Sequence, residues 1–340
     1  MKSKLSLSAL FEFKPTQYDD GSKEIYSGSF NKDLTEYCLP SPSSQAVFLF
    51  GSKHPKAITL RAGKKLFTPD LSIHSSSGEI ILGCRESANL AKINKRRDKI
   101  DIIELGIQKF YATSFKYNSK GELFVGNLYG DPIIICGTEI LTLPIKTDRS
   151  YDCIWLDNDN LVVSCMSEGR VVHCRRKNGN FSIIGELKLE QPYRFSPILK
   201  NQILLTTRGW IDRPGKIHLL EYDYDVDGEI NVTVRSSIVV SDRLFYLKKN
   251  LPKWALKLLD LKRYTGYIND VAWVSETEFM VTTKTGGSIL IYDTNGNLKE
   301  NYSKFKSIYT RFIGERLPNQ HICVIDTGKK PCLSIVNIDS

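Results

Sequence analysis

Three sets of residues in this chain are of types and spacings that do chemistry. The first is Asp223-Tyr224-Asp225-Val226-Asp227-Gly228-Glu229-Ile230-Asn231. Alternate carboxylates around a glycine turn supply several oxygens to one point, as a hard cation such as calcium requires. The second set is the five histidines, His54, His74, His173, His218 and His321. The third is a series of Lys- and Arg-bearing loops, described below, that would receive acidic groups.

The first two sets read as structural. Asp223, Asp225, Asp227 and Asn231 match the first nine positions of an EF-hand loop and resemble the calcium hairpins of integrin-type propellers. The twelfth position is Val234, however, so the bidentate carboxylate is missing. An exposed hairpin with a tight Asp-Gly turn is the expectation. The histidines form no nucleophile–base arrangement and no metal motif. G-x-S-x-G, H-E-x-x-H and a phosphate-cradling glycine loop are all absent. His74 is read as a structural histidine. No enzyme activity, cofactor or metal is expected.

The elements that must position these residues follow from the whole chain. It has 340 residues, 41% of them hydrophobic and 25% charged, enough for one large all-β domain or two ordinary ones. The formal net charge of +9 favours acidic partners. The eight cysteines have no C-x-x-C or zinc spacing and most fall in apolar strand runs, which points to a reducing compartment. The LSLSALFEF stretch near the N-terminus alternates like a strand and contains Glu12, unlike a signal peptide. No run is long enough to span a bilayer. A cytoplasmic or nuclear location is expected; whether an anchor follows Ser340 stays open.

A short motif recurs: a turn, a polar residue, then four apolar residues. Copies are Ser77-Gly78-Glu79-Ile80-Ile81-Leu82-Gly83, Lys120-Gly121-Glu122-Leu123-Phe124-Val125-Gly126, and runs from Asp159, Asn201, Thr277 and Gln320. Ser44–Leu49 is taken as the first, looser copy. Most spacings are about 34 to 43 residues, close to the roughly 40–45 of a propeller blade. The wide interval from 202 to 278 is read as a long hairpin plus an insertion, with an eighth unit as the alternative. Each unit shows four strand-like runs. A four-stranded sheet cannot bury both faces alone, and radial stacking does so. The unassigned strand Leu5–Phe13 is expected to complete the last unit.

The stretch 268–293 resembles a WD repeat, with Tyr292-Asp293 standing where that family has Trp-Asp and Gly266-Tyr267 in place of its Gly-His entry. On these residues the chain is identified as similar to the WD40-like β-propeller superfamily. The resemblance implies one all-β domain over 1–340 with seven four-stranded blades, and a scaffold or complex-subunit role. Exchange factors for small GTPases also occur in the superfamily.

By the same resemblance, loops between second and third strands share one face. Basic residues fall there in units five, six, seven and one: Arg208, Trp210 and Arg213; Lys284; Lys329 and Lys330; Lys53 and Lys56. These predict a continuous basic arc for an acidic protein segment, with Trp210 as anchor. RNA, contacted through the same arc, is the alternative. A short basic amphipathic helix is expected in the insertion 241–263, with Lys253 and Lys257 adding to the arc and an apolar stripe of Trp254, Leu258 and Leu261 against the propeller. A membrane role for that helix and a central-metal hydrolase or lyase are the remaining readings. The clusters around Lys95-Arg96-Arg97 and Arg175-Arg176-Lys177 are read as solvated turns on the opposite face.

Overall fold

The computed structural model describes residues 4–12, 27–42, 44–62, 68–85, 88–209, 214–226, 229–240, 251–252, 254–255, 268–283, 289–302, 310–312, 321–326 and 332–339. Alternating and continuous apolar runs separated by Gly, Asn and Asp turns give strands. Among the described residues they pair into seven antiparallel four-stranded sheets. The fourth sheet is typical: Ser150–Trp155, Asn160–Cys165, Arg170–Lys177 and Asn180–Lys188 pair in sequence order. In the seventh, Thr310–Phe312, His321–Asp326 and Cys332–Asp339 are joined by Lys4–Glu12, which runs antiparallel to Cys332–Asp339.

Burial explains the stacking. Second and third strands are apolar on both faces, so each sheet needs a neighbour on each side. Val163 and Cys165 of sheet four pack with Phe124 and Ile134 of sheet three. Leu82 and Ile93 of sheet two pack with Cys38 and Val47 of sheet one. Sheets two and three, four and five, and five and six share further cores. Glycine permits the close approach at one such contact. A Cβ on Gly83 would stand 2.7 Å from the Ala112 Cβ of the next sheet. Fourth strands lie outermost, and Asn180–Lys188 is accordingly mostly exposed.

The strand assignments expected for units two and four match the sheets closely, and the long interval before residue 278 holds the extended hairpin Lys216–Tyr224 and Ile230–Val239. Unit one differs. Its second strand is Tyr37–Ser41, and the run around Ala46–Gly51 is the third strand. The better copy of the repeat is Thr35-Glu36-Tyr37-Cys38-Leu39, which parallels Thr277-Glu278-Phe279-Met280-Val281. Pro40 hides it, because proline disfavours reading a central strand.

That phase change moves a loop. In each sheet the second-to-third turn lies at the edge where the first strand begins, here called the upper edge. The first-to-second and third-to-fourth turns lie at the lower edge. Ser52-Lys53 joins the third strand to the fourth, and Lys53 N donates to Thr35 O at 3.0 Å in the first-to-second turn. Lys53 and Lys56 are therefore at the lower edge, not on an arc with Arg208.

Of the helix expected over 241–263, residues 254–255 are helical, with Ala255 N donating to Pro252 O at 2.9 Å. Ala255 is buried, but Trp254 is 70% exposed, so this member of the expected apolar stripe does not pack on the propeller. Lys253 and Lys257 lie outside the described residues. No helix among the described residues is long and apolar enough to cross a membrane.

Candidate functional site

The first strands of the sheets line a central channel. In sheets two, four and six they pair irregularly at the upper end, and just below that bulge Leu71, Asp152 and Asp270 face Gly83, Ser164 and Thr282. Ser114 and Arg194 hold the same place in sheets three and five, each directly before the residue at which regular pairing resumes. The repeat thus sets Leu71, Ser114, Asp152, Arg194 and Asp270 at one level around a cavity of about 320 Å³. Two carboxylates flank one guanidinium at this level, and all five side chains are buried.

Asp152 is held on one side only. Its Oδ2 accepts from Phe195 N at 3.1 Å, while Oδ1 is buried and receives no hydrogen bond. Ser114 Oγ is also buried without a partner. Arg194 turns upward: Nη2 donates to Thr113 O at 3.4 Å, and the guanidinium lies 5.2 Å from the centre of the Tyr193 ring.

Above the cavity a smaller cleft of about 110 Å³ opens between Asp70, Arg85, Tyr111, Tyr151, Tyr193 and Arg194. Tyr111 Oη donates to Asp70 Oδ2 at 2.5 Å, and Arg85 Nε donates to Tyr111 Oη at 3.1 Å. Burial, reinforced by the Asp70 charge, pushes the Tyr111 phenol well above its ordinary range, so it stays a donor. The rings of Tyr151 and Tyr193 are 4.4 Å apart, and Arg208 lies 5.7 Å from the Tyr193 centroid. Tyr129, 6.3 Å from Tyr111, is 58% exposed. Tyr and Arg side chains from sheets two to five thus meet at one mouth. Sequence reasoning found Arg208 but missed the tyrosines. Their signal was the recurrence of Tyr151 and Tyr193 at one position of successive units.

At the lower edge His54 and His74 belong to a hydrogen-bond network, as expected for His74. The buried Glu36 carboxylate accepts from His54 Nε2 at 2.6 Å, His74 Nε2 at 3.2 Å and Arg97 Nε at 2.9 Å, and Arg97 Nη2 adds a further bond. Ser29 Oγ lies 2.9 Å from His74 Nδ1 and donates to Ser72 Oγ at 3.0 Å. Burial alone would raise the Glu36 pKa; the bonds from His74, Arg97 and His54 outweigh it and hold the group ionised. Likewise Arg176 Nη1 donates to Glu122 Oε1 at 2.8 Å. Arg97 and Arg176 are therefore not solvated turn residues. Each reaches back to a carboxylate at the start of the preceding sheet's second strand.

Of the expected arc, Arg208 stands at the upper mouth, and Lys53 and Lys56 are exposed at the lower edge. Trp210, Arg213, Lys284, Lys329 and Lys330 lie outside the described residues. In the acidic hairpin, Asp223 Oδ1 accepts from Asn201 Nδ2 at 3.2 Å and Asp225 Oδ1 from Glu229 N at 2.8 Å. Asp227 lies outside the described residues and Asn231 pairs with Asp223 in the strand ladder. Among the described residues no group of three or more His, Cys, Asp or Glu side chains is spaced to hold a metal ion.

No protein family and no curated protein matches the sequence. Solved structures do match in fold. Virginiamycin B lyase from Staphylococcus aureus superposes with a TM-score of 0.71 at 10% identity, covering 99% of this chain and 100% of that one. The WD40 β-propeller domain of Doa1 gives 0.66 at 9% identity, covering 97% of each chain. A chain of the mitotic checkpoint complex gives 0.69 at 10% identity, covering 98% of this chain and 93% of that one. The chain has an all-β propeller fold, which it shares with an enzyme, the virginiamycin B lyase, and with a chain of a protein complex.

Proposed function

We propose that this propeller is a non-enzymatic interaction scaffold whose upper mouth receives an acidic segment of a protein partner. One observation carries the reading: Arg85, Arg194 and Arg208 gather with Tyr111, Tyr151 and Tyr193 where the channel opens. Tyr and Arg are the side chains that most often anchor interfaces, because they combine large contact area with directed hydrogen bonds. Arginine recognises carboxylates in a forked geometry. The overall charge of +9 favours the approach of such a partner. The solved neighbours support a complex-subunit role through the checkpoint-complex chain.

The test is a pull-down from native lysate with wild type, Arg208→Glu and Lys53→Glu baits, each with and without nuclease. The proposal expects a protein partner that survives nuclease, is lost with Arg208→Glu and is kept with Lys53→Glu. Loss of the partners on nuclease treatment would replace it with the RNA reading. Equal recovery by wild type and Arg208→Glu would move the binding surface away from the mouth.

A further inference from the structure

The channel below the mouth carries a separate chemical demand. An ionised carboxylate withdrawn from water must be paired, or it costs several kcal/mol. Asp152 is 2% exposed, lines the 320 Å³ cavity and satisfies only one oxygen, through Phe195 N. Asp270, at the same register position two sheets on, is 6% exposed and lines the same space. Between them Arg194 donates Nη2 to Thr113 O at 3.4 Å, and its guanidinium lies 5.2 Å from the centre of the Tyr193 ring. Among the described residues the remaining charged group of the lining is Lys116, two residues beyond Ser114 on the same strand and only partly buried. Among the described residues, the acceptors of this lining that receive no hydrogen bond are Asp152 Oδ1 and the Ser114 hydroxyl. Both are met by a ligand that brings N–H donors, and a charged donor makes the stronger bond to a carboxylate oxygen.

The walls narrow the class of cation. Trp155, Tyr117, Phe115 and Phe195 line the cavity with Leu71 and Ile73. Aromatic faces attract ammonium groups, and apolar walls suit an alkyl stem. A bare metal ion would need several oxygen ligands that the lining does not gather. The volume is in the range of sites for small organic molecules, about 300–1,000 Å³.

We propose that the channel is a binding site for an alkylammonium group, with Asp152 Oδ1 and Ser114 Oγ as its acceptors and Lys116 as the internal cation that opposes it. The ammonium is supplied either by a lysine side chain inserted from a partner or by a free polyamine. This site does not depend on the role given to the mouth above.

Isothermal titration calorimetry on the full chain tests it, with n-pentylamine, 1-pentanol, 1,5-diaminopentane and N-acetyl-lysine methylamide as probes. The amine should bind saturably and the alcohol at least about tenfold more weakly, since loss of a charge-assisted bond is a factor of that order. Asp152→Asn should weaken the amine about tenfold, and Lys116→Met should tighten it several-fold by removing a like charge. The opposite signs separate a specific site from damage to the fold. Should Asp152→Asn fail to fold, Lys116→Met and the alcohol comparison still decide. No saturable amine binding, equal binding of amine and alcohol, or weaker amine binding by Lys116→Met would each overturn the proposal. Preference for the lysine amide over the diamine identifies a protein lysine as the source, and the reverse identifies a free polyamine; either outcome supports the site.

Discussion

Glu36 and Arg97 stand 61 residues apart in sequence and form a two-pronged ion pair whose side chains are 0% and 4% exposed. The pair ties the first-to-second turn of sheet one to the third-to-fourth hairpin of sheet two. Glu122 and Arg176 repeat the arrangement between sheets three and four, at 15% and 13% exposure. These pairs are clasps between neighbouring blades, built at equivalent points of the repeat.

Removing one partner of a buried pair leaves the other charge unpaired, at about 3–5 kcal/mol. Glu36→Gln strands Arg97 and should lower stability by that order in urea unfolding. Glu122→Gln should cost less, because Arg176 keeps Asp159 at 3.2 Å and some access to water. Equal urea midpoints for wild type and Glu36→Gln would refute the clasp.

Acid should loosen the propeller in two stages. Burial, aided by Lys216, depresses His218 from 6.5 to about 4, and burial also lowers His173 and His74. The unfolded chain therefore takes up these protons first, so stability starts to fall as pH drops below about 6.5. His218 alone accounts for at most about 3 kcal/mol of this, complete near its folded value. The bonds from Arg176 and Asn118 overcome desolvation and hold Glu122 at about 2. Its contribution is intact above the ordinary carboxylate value and is lost as pH falls from about 4.5 toward 2. Urea midpoints from pH 8 to 3.5 should decline steadily below 6.5, and His218→Gln should flatten the upper part of that decline.

The sheet-to-sheet contact at Gly83 makes a steric prediction. A Cβ there would stand 2.7 Å from Ala112 Cβ, 3.1 Å from Phe115 Cζ and 3.3 Å from Leu71 Cβ. Gly83→Val should therefore destabilise by about 1–3 kcal/mol through overpacking, read as a drop in thermal midpoint. The same substitution at Gly121, where nothing lies within 4 Å, meets no neighbour. It should cost through its φ of +80° alone.

The sequence by itself determined the all-β class, the repeated four-strand unit and most strand positions. Those are local properties: alternation and turn residues act within a few positions, and the period repeats them. The structural role of His74 was legible for the same reason, since its place on an inner strand follows from the repeat. Tertiary structure alone decided the phase of the first unit, where Pro40 masked Tyr37–Ser41, and with it the edge to which Lys53 and Lys56 belong. It also decided that Arg97 and Arg176 are paired, because their carboxylates lie in the preceding sheet. The level of Ser114, Asp152, Arg194 and Asp270 around the channel depends on a bulge in each first strand. Side-chain alternation has a period of two residues, so one inserted residue changes which side chains face inward, and the strand pairing that creates the insertion is a long-range contact.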